Sequence, residues 1–303
     1  MKSPLFDSRQ VRRAFSRSAD SYAAAAQLQH HVEARLLESL DYLDDPALKR
    51  APPQRVLDLG CGTGSAAMAI QKRWPKAQVL AMDIALPMLQ QARREPSRWN
   101  PFVRTPQVVC ADARALPLAE GSVDVLFSNL CLQWVDDLDA VLAGLRRVLK
   151  PGGLLLVSTF GPETLWELRD AFAHADDRPH VSPFGDIAGF GDALVRASFH
   201  QPVIERDVDM TQYPDLPSLM RELRAIGATN ALHSRRQTLT GRARFSAASN
   251  AYDGMRDENG LLPATWEIIS AMAWAPEAGT PIREGGVDLA AVPISRIPIR
   301  RRG

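Results

Sequence analysis

Hydrophobic and polar positions follow two rhythms along this chain, and the change from one to the other marks its elements. Val56-Leu57-Asp58-Leu59, bounded by Pro52-Pro53, is a short apolar run that predicts a buried parallel strand. It breaks into glycines at alternate positions, Gly60, Gly62 and Gly64, then turns helical over Ala66-Ala67-Met68-Ala69-Ile70 and stops at Lys72-Arg73-Trp74-Pro75. Three more apolar runs, 78–83, 107–113 and 122–129, predict strands separated by helices. An amphipathic helix over 138–149 closes at Lys150-Pro151-Gly152-Gly153, and a fifth strand is expected at 154–159. Leu165, Leu168 and Phe172 mark another helix, followed by a helix at 187–199 and a strand at 202–208. Helices over 216–226 and 243–255 precede a last strand at 264–274. Ahead of the first strand, two apolar stripes (Val11, Ala14, Phe15, Ala19; then Leu28, Val32, Leu36, Leu37, Leu40) make residues 8–43 helical. Seven strands alternating with helices predict an α/β fold with a mostly parallel sheet.

The glycine-rich turn is where that pattern acquires chemistry. Without a Cβ, glycine lets backbone N–H groups approach a ligand. The dinucleotide fingerprint is G-x-G-x-x-G, whereas this loop reads G-x-G-x-G with Ser65 next. The shorter spacing packs more tightly and suits an amino-acid-bearing nucleoside rather than a pyrophosphate. A strand-to-helix turn with no ligand would look the same in isolation; its neighbours decide. Asp83 ends the second strand about 25 residues after Asp58, near the ~20-residue offset of a ribose-gripping carboxylate. Asp112 ends the third, placed for an adenine amino group, and Asn129 ends the fourth. Polar strand ends along one edge of a parallel sheet face a ligand cleft.

These residues resemble a class I S-adenosylmethionine-dependent methyltransferase: Val56 to Gly64, Asp83, Asp112-Ala113, Leu116-Pro117-Leu118, Asp124 to Asn129, and Arg147 to Gly153. The resemblance implies a Rossmann-like fold, a seven-stranded mostly parallel sheet with helices on both faces, and S-adenosyl-L-methionine as methyl donor. It implies that Asp58 and the glycine loop (Gly60, Cys61, Gly62, Thr63 and Gly64) hold the methionine end, that Asp83 holds the ribose and Asp112 with Ala113 the adenine, and that Ile84, Met88 and Asn129 also belong to the donor site.

The accessory segments narrow the resemblance. Ala14-Phe15-Ser16-Arg17 to Tyr22, Ser128 to Trp134, and Leu223 to Asn230 with Leu239-Thr240-Gly241-Arg242 are similar to the malonyl-[acyl-carrier protein] O-methyltransferases of biotin synthesis. The family methylates the free carboxylate of a malonyl thioester, which implies an acyl-carrier protein (or coenzyme A) as acceptor partner. The expected organisation is a helical lid over 1–50, a methyltransferase domain over 51–275 with a helical insertion near 215–256, and a flexible tail over 276–303 that ends Arg300-Arg301-Arg302. Tyr22 is read either as part of a lid near the transferred methyl or as one face of a solvated helix; Trp134 either as site wall or as core. Arg221 and Arg224, three apart on one helix face, are candidates to hold the carboxylate, with an exposed basic face as the other reading. Arg9, Arg12 and Arg13, or Arg235, Arg236, Arg242 and Arg244, are candidates to meet an acidic carrier.

Composition trims the alternatives. The net charge of +1 over 303 residues argues neither for nor against nucleic acid, and with no basic domain or nucleic-acid methylation motif none is expected. The three cysteines, Cys61, Cys110 and Cys131, sit in apolar contexts without paired spacing, which predicts reduced thiols. His174, Asp176, Asp177 and His180 match no zinc spacing and read as a solvated loop, so no metal is expected. No apolar stretch is long enough for a membrane or a secretory leader, and the expected location is the cytoplasm. Methylation of another small acid or a quinone precursor stays open, as does a donor-binding assembly factor for a respiratory complex. A dinucleotide oxidoreductase has the wrong glycine spacing.

Overall fold

The computed structural model describes residues 4–48, 50–93, 104–236, 238, 240–279, 282–284 and 287–289. Four helices lead the chain: α1 (Ser8–Ser18), α2 (Tyr22–Ala25), α3 (Gln27–Glu38) and α4 (Asp41–Asp44), with a 3-10 turn at Pro46–Leu48. The alternating part follows as β1 (Arg55–Leu59), α5 (Ser65–Arg73), β2 (Gln78–Asp83), α6 (Leu86–Ala92), β3 (Gln107–Cys110) and β4 (Val123–Ser128). A 3-10 turn at Leu132–Trp134 leads to α7 (Leu138–Val148) and β5 (Leu149–Phe160). Then come α8 (Trp166–Ala173), α9 (Ile187–Arg196), β6 (His200–Tyr213), α10 (Leu216–Ala225), α11 (Arg242–Asp253) and β7 (Leu262–Trp274).

The sheet order is β3-β2-β1-β4-β5-β7-β6. β1 pairs parallel with both β2 and β4, while β7 runs antiparallel to β5 and β6. This is the expected Rossmann-like, mostly parallel seven-stranded sheet. Alternation along β1 sends Leu57 and Leu59 into a core beneath α7 and α9, and Val56 into the opposite core with Ala66, Ile70 and Leu36. Both faces are therefore covered, as a parallel sheet requires. A third core joins α8, α10 and α11 to the first half of β7 through residues such as Leu168, Leu216, Tyr252 and Trp266.

Several boundaries depart from the pattern reading. β5 starts at Leu149, because Lys150 to Gly153 forms an irregularity within the β4–β5 ladder instead of ending the element. β6 runs on to Tyr213 as an edge strand that leaves Val203, Val208 and Met210 exposed to solvent, so polar residues there did not end it. The loop with His174 and His180 is not simply solvated. Asp176 gathers His180 (3.0 Å), Arg236 (3.1 Å) and Arg244 (3.6 Å), and His180 stacks on Phe172 with centroids 4.0 Å apart. Within the tail, Ile282–Glu284 pairs antiparallel with Val287–Leu289 as β8 and β9. The Arg300 to Arg302 end and Leu239 lie outside the described residues. No helix among the described residues is long and apolar enough to cross a membrane.

Candidate active site

The strand order reverses at β1, between β2 and β4, and a cleft opens there beyond the carboxyl ends of the strands. It encloses about 800 Å³ of space, its open mouth included. Gly60, Gly62, Asp83, Ile84, Met88, Asp112, Ala113 and Asn129 line it from the sheet side; Tyr22 and Trp134 line it from the other. A second, smaller cavity shares Tyr22, Gly60 and Asn129 with it as walls and adds Asp58, Cys61 and Thr63.

The glycine loop is fixed by its own backbone. Gly60 has φ +73° and donates to the Met82 carbonyl at 2.8 Å; a Cβ there would stand 2.5 Å from the Cys131 Sγ. The N–H of Gly62 donates to Asp83 Oδ2 at 3.0 Å and that of Ala85 to Oδ1 at 2.7 Å. Asp83 thus clamps the loop to β2 while it faces the cleft. Burial raises its carboxyl above the ordinary range. Asp112 stands differently: the Arg114 guanidinium grips it through Nε (2.9 Å) and Nη2 (2.5 Å) and holds its carboxyl below the ordinary range. Arg114 lines the cleft too, a neighbour the sequence reading had not singled out.

Asp58, at the end of β1, is 2% exposed and accepts from the Ala67 N–H at the start of α5, yet its Oδ2 is buried without a partner. Burial, then the nearby Glu33 carboxylate, pushes its pKa well up. Gln29, His30 and Glu33 of α3 close the same cavity. Asn129 spends its side chain on structure, donating to the Gln29 carbonyl (2.9 Å) and accepting from Ser158 Oγ (2.7 Å). Leu130 follows with φ +45°, a left-handed conformation unusual for leucine, held by bonds from its N–H to Ser158.

The wall opposite the sheet is aromatic. Trp134 lies between Phe15 (5.4 Å, edge-on) and Phe6 (6.0 Å), and Phe15 and Tyr22 line the cleft with it. Burial raises the Tyr22 phenol and keeps it protonated. Arg221 and Arg224 are not brought to this cleft. They line a separate cavity with Arg17, on the side of α1 away from Phe15. Their spacing put them on one face, but that face meets the outer side of α1.

A donor with an adenosine and an amino-acid end fits these residues: a turn with no room for a Cβ at Gly60 or Gly64, acids at two strand ends, and a buried oxygen without a partner where the amino-acid end would lie. The methyltransferase domain family matches residues 57–157. The YcgJ protein of Bacillus subtilis superposes with a TM-score of 0.58 at 15% identity, over 82% of this chain and 100% of that one, which shows the fold. A Xylella fastidiosa (strain M23) protein named malonyl-[acyl-carrier protein] O-methyltransferase is 56% identical over 98% of this chain and 98% of its own. A Methylovorus relative of the same name is 44% identical over 93% of each chain. Likeness on this scale takes in the N-terminal helices, α10 and α11 as well as the sheet, and this chain belongs to the malonyl-[acyl-carrier protein] O-methyltransferase family of S-adenosylmethionine-dependent enzymes.

Proposed function

We propose that the protein transfers the methyl group of S-adenosylmethionine to the free carboxylate of a malonyl group carried on acyl-carrier protein, giving the methyl ester that starts chain elongation toward biotin. The observation that carries this is the near full-length identity to the Xylella relative, because the fold alone hosts many reactions. Asp58 and the Gly60 to Gly64 loop are assigned to the methionine end, Asp83, Ile84 and Met88 to the ribose, and Asp112 and Ala113 to the adenine. The N-terminal helices, residues 1–50, are assigned as the lid.

When bound, the donor supplies an electrophilic methyl on a sulfonium. A malonate carboxylate, with an ordinary carboxyl pKa near ~4, is ionised at neutral pH and needs no general base. Its oxygen forms the new O–CH3 bond as the C–S bond breaks, the electron pair leaves with sulfur, and no proton moves. What the chain contributes is alignment and exclusion of water. The aromatic wall of Phe15, Tyr22 and Trp134 supports that role, and the protonated Tyr22 hydroxyl is a donor for the incoming carboxylate.

Docking of the acidic carrier is assigned to the outer face of α1. Arg9, Arg12, Arg13 and Arg17 are exposed there and form no ion pair among the described residues, with Arg221 and Arg224 across the adjoining cavity. Arg235, Arg236 and Arg244 are instead engaged with Asp7 and Asp176. The free thiols Cys61, Cys110 and Cys131 support a reducing compartment, the cytoplasm.

The test is transfer of labelled methyl with malonyl-carrier protein, malonyl-coenzyme A and free malonate side by side. Ester on the thioesters and none on malonate is expected. No transfer to any of them, with donor binding intact, overturns the proposal.

A further inference from the structure

The cavity between α1 and α10 carries a charge that the cleft does not explain. Arg17 from α1 and Arg221 and Arg224 from α10 line it, and no aspartate or glutamate does. It encloses about 970 Å³, its open mouth included. With a net charge of only +1 over the chain, three cations around one hollow are a local arrangement and not a general surplus. Arg17 and Arg224 form no ion pair among the described residues. Arg221 donates to Ser218 Oγ at 2.8 Å, and Ser218 donates to Asp215, so its charge is answered in part from outside the cavity. The two helices that bring these side chains together are fixed against each other. Gly227, just past α10, has φ +79°, and a Cβ there would meet Ser18 Oγ at 2.7 Å and the Phe15 ring at 3.0 Å. Ser21 donates to the Ala225 carbonyl at 2.8 Å across the same junction. Thr229 lines the cavity too, and its hydroxyl is buried without a hydrogen-bond partner. Cations held together in advance of a ligand, with no acid among them, make an anion site.

We infer that this cavity takes the phosphate of the phosphopantetheine arm on which the malonyl group arrives. The inference deepens the proposed function and rests on its choice of acceptor. Such an acceptor is anionic at two separated points, the malonyl carboxylate and the arm's phosphate, with uncharged pantetheine between them. The carboxylate has to reach the sulfonium in the cleft lined by Tyr22 and Trp134, and α1 stands between that cleft and the cavity. A helix with its side chains is about 10–12 Å across, less than the length of an extended pantetheine arm. One acceptor can therefore keep its carboxylate in the cleft and its phosphate among the arginines, whose planar forks match phosphate oxygens. The cavity anchors the end of the acceptor that does not react, so it acts on KM and selects an arm-borne malonyl group over a free acid. Arg17 and Arg224 also stand in the last turns of α1 and α10, where a cation complements the helix dipole. A structural role of that kind is what the test has to exclude.

Two small acceptors without a carrier protein decide this. Malonyl-4′-phosphopantetheine and malonyl-pantetheine differ by the phosphate alone, and both leave out the carrier's own carboxylates. The unaltered protein is expected to methylate the phosphorylated acceptor with a KM roughly 10- to 30-fold lower and a similar kcat. In the double variant Arg17→Ala/Arg224→Ala that preference is expected to fall below about threefold, through a rise in the KM of the phosphorylated acceptor. Arg17→Lys/Arg224→Lys keeps the charges and should keep part of the preference. Equal KM values for the two acceptors in the unaltered protein, or a preference that survives in the double alanine variant, overturn the inference. So does a double variant that weakens both acceptors equally, because the arginines then only support the helices. In each of these cases methyl transfer to malonyl-pantetheine leaves the proposed function standing. Conversely, no transfer to either acceptor, with 4′-phosphopantetheine still binding more tightly than pantetheine in calorimetry, would support the phosphate site and overturn the proposed acceptor.

Discussion

The two sides of the cleft are built on opposite plans. On the sheet side, the cleft-lining residues come from one stretch of about seventy residues, Asp58 to Asn129, at consecutive strand ends and the turns that follow them. Their positions are set by parallel ladders and by backbone bonds such as Gly62 N–H to Asp83. The opposite wall is stitched from two segments more than 200 residues apart in the chain. Asp7 donates its N–H to the Ala231 carbonyl, Phe6 bridges Leu232, Ser21 reaches the Ala225 carbonyl, and Arg235 pairs with Asp7 at 3.1 Å. Phe6 also donates its N–H to Asp136 at 2.6 Å, which draws the segment after β4 into the same assembly. On the proposed reading the difference separates tasks: a nucleoside cradle set by the sheet's own ladders, and an acceptor wall set by contacts between distant segments.

The sharpest way to break the sheet side alone is Gly60→Ala. At φ +73° any side chain is strained, and its Cβ would meet the Cys131 side chain at 2.5 Å. Strain and overlap together cost about 3 kcal/mol, which corresponds to a loss of donor affinity on the order of 100-fold. Gly121→Ala is the control, since Gly121 has φ +57° with nothing within 4 Å of a new Cβ. It carries backbone strain only and should leave S-adenosylhomocysteine binding unchanged in calorimetry. Equal losses in the two variants would mean that the cradle tolerates a side chain.

Trp134→Ala attacks the other side. It removes two aromatic contacts, to Phe6 and Phe15, each about 0.5–1.5 kcal/mol beyond burial. The KM for the malonyl thioester is expected to rise roughly tenfold, with S-adenosylhomocysteine affinity within about threefold. If donor affinity falls as far as the KM rises, the two sides are one unit and the contrast fails.

The same contrast governs what could be read from the sequence. Asp58, the glycines, Asp83 and Asp112 were legible because strand, turn and acid are local, and their spacing carries the geometry. Leu130 was not: nothing in Asn129-Leu130-Cys131 announces a left-handed leucine, which depends on bonds to Ser158 across the sheet. Arg221 and Arg224 were placed on one helix face by spacing, yet only packing decides that this face meets the outside of α1. Gln29, His30 and Glu33 were not legible because the apolar stripe Leu28, Val32, Leu36 dominates the pattern of α3. The signal lay between those positions, in polar residues at i, i+1 and i+4 that share one side of α3.

The smallest effect expected is also the one that joins the two sides. Burial raises Glu33, Asp58 and Asp83 above their ordinary range in the donor-free protein, with His30 beside Glu33 and the Tyr22 phenol nearby. A carboxyl raised in the folded state binds more protons there than in the unfolded chain. The stability it contributes is therefore complete at pH below the unfolded value near ~4 and is lost as pH rises through the raised folded value. Part of that loss is repulsion between the Glu33 and Asp58 carboxylates, across the junction of α3 and β1. The Tm of Glu33→Gln, which cannot titrate, should therefore gain on that of the unaltered donor-free protein as pH is raised from the acid range toward neutrality, by about 2–4 °C for each kcal/mol regained, and level off above the raised values. At low pH the two proteins should melt at nearly the same temperature. A difference in Tm independent of pH would show that Glu33 does not titrate against Asp58, and that the two sides do not meet through these acids.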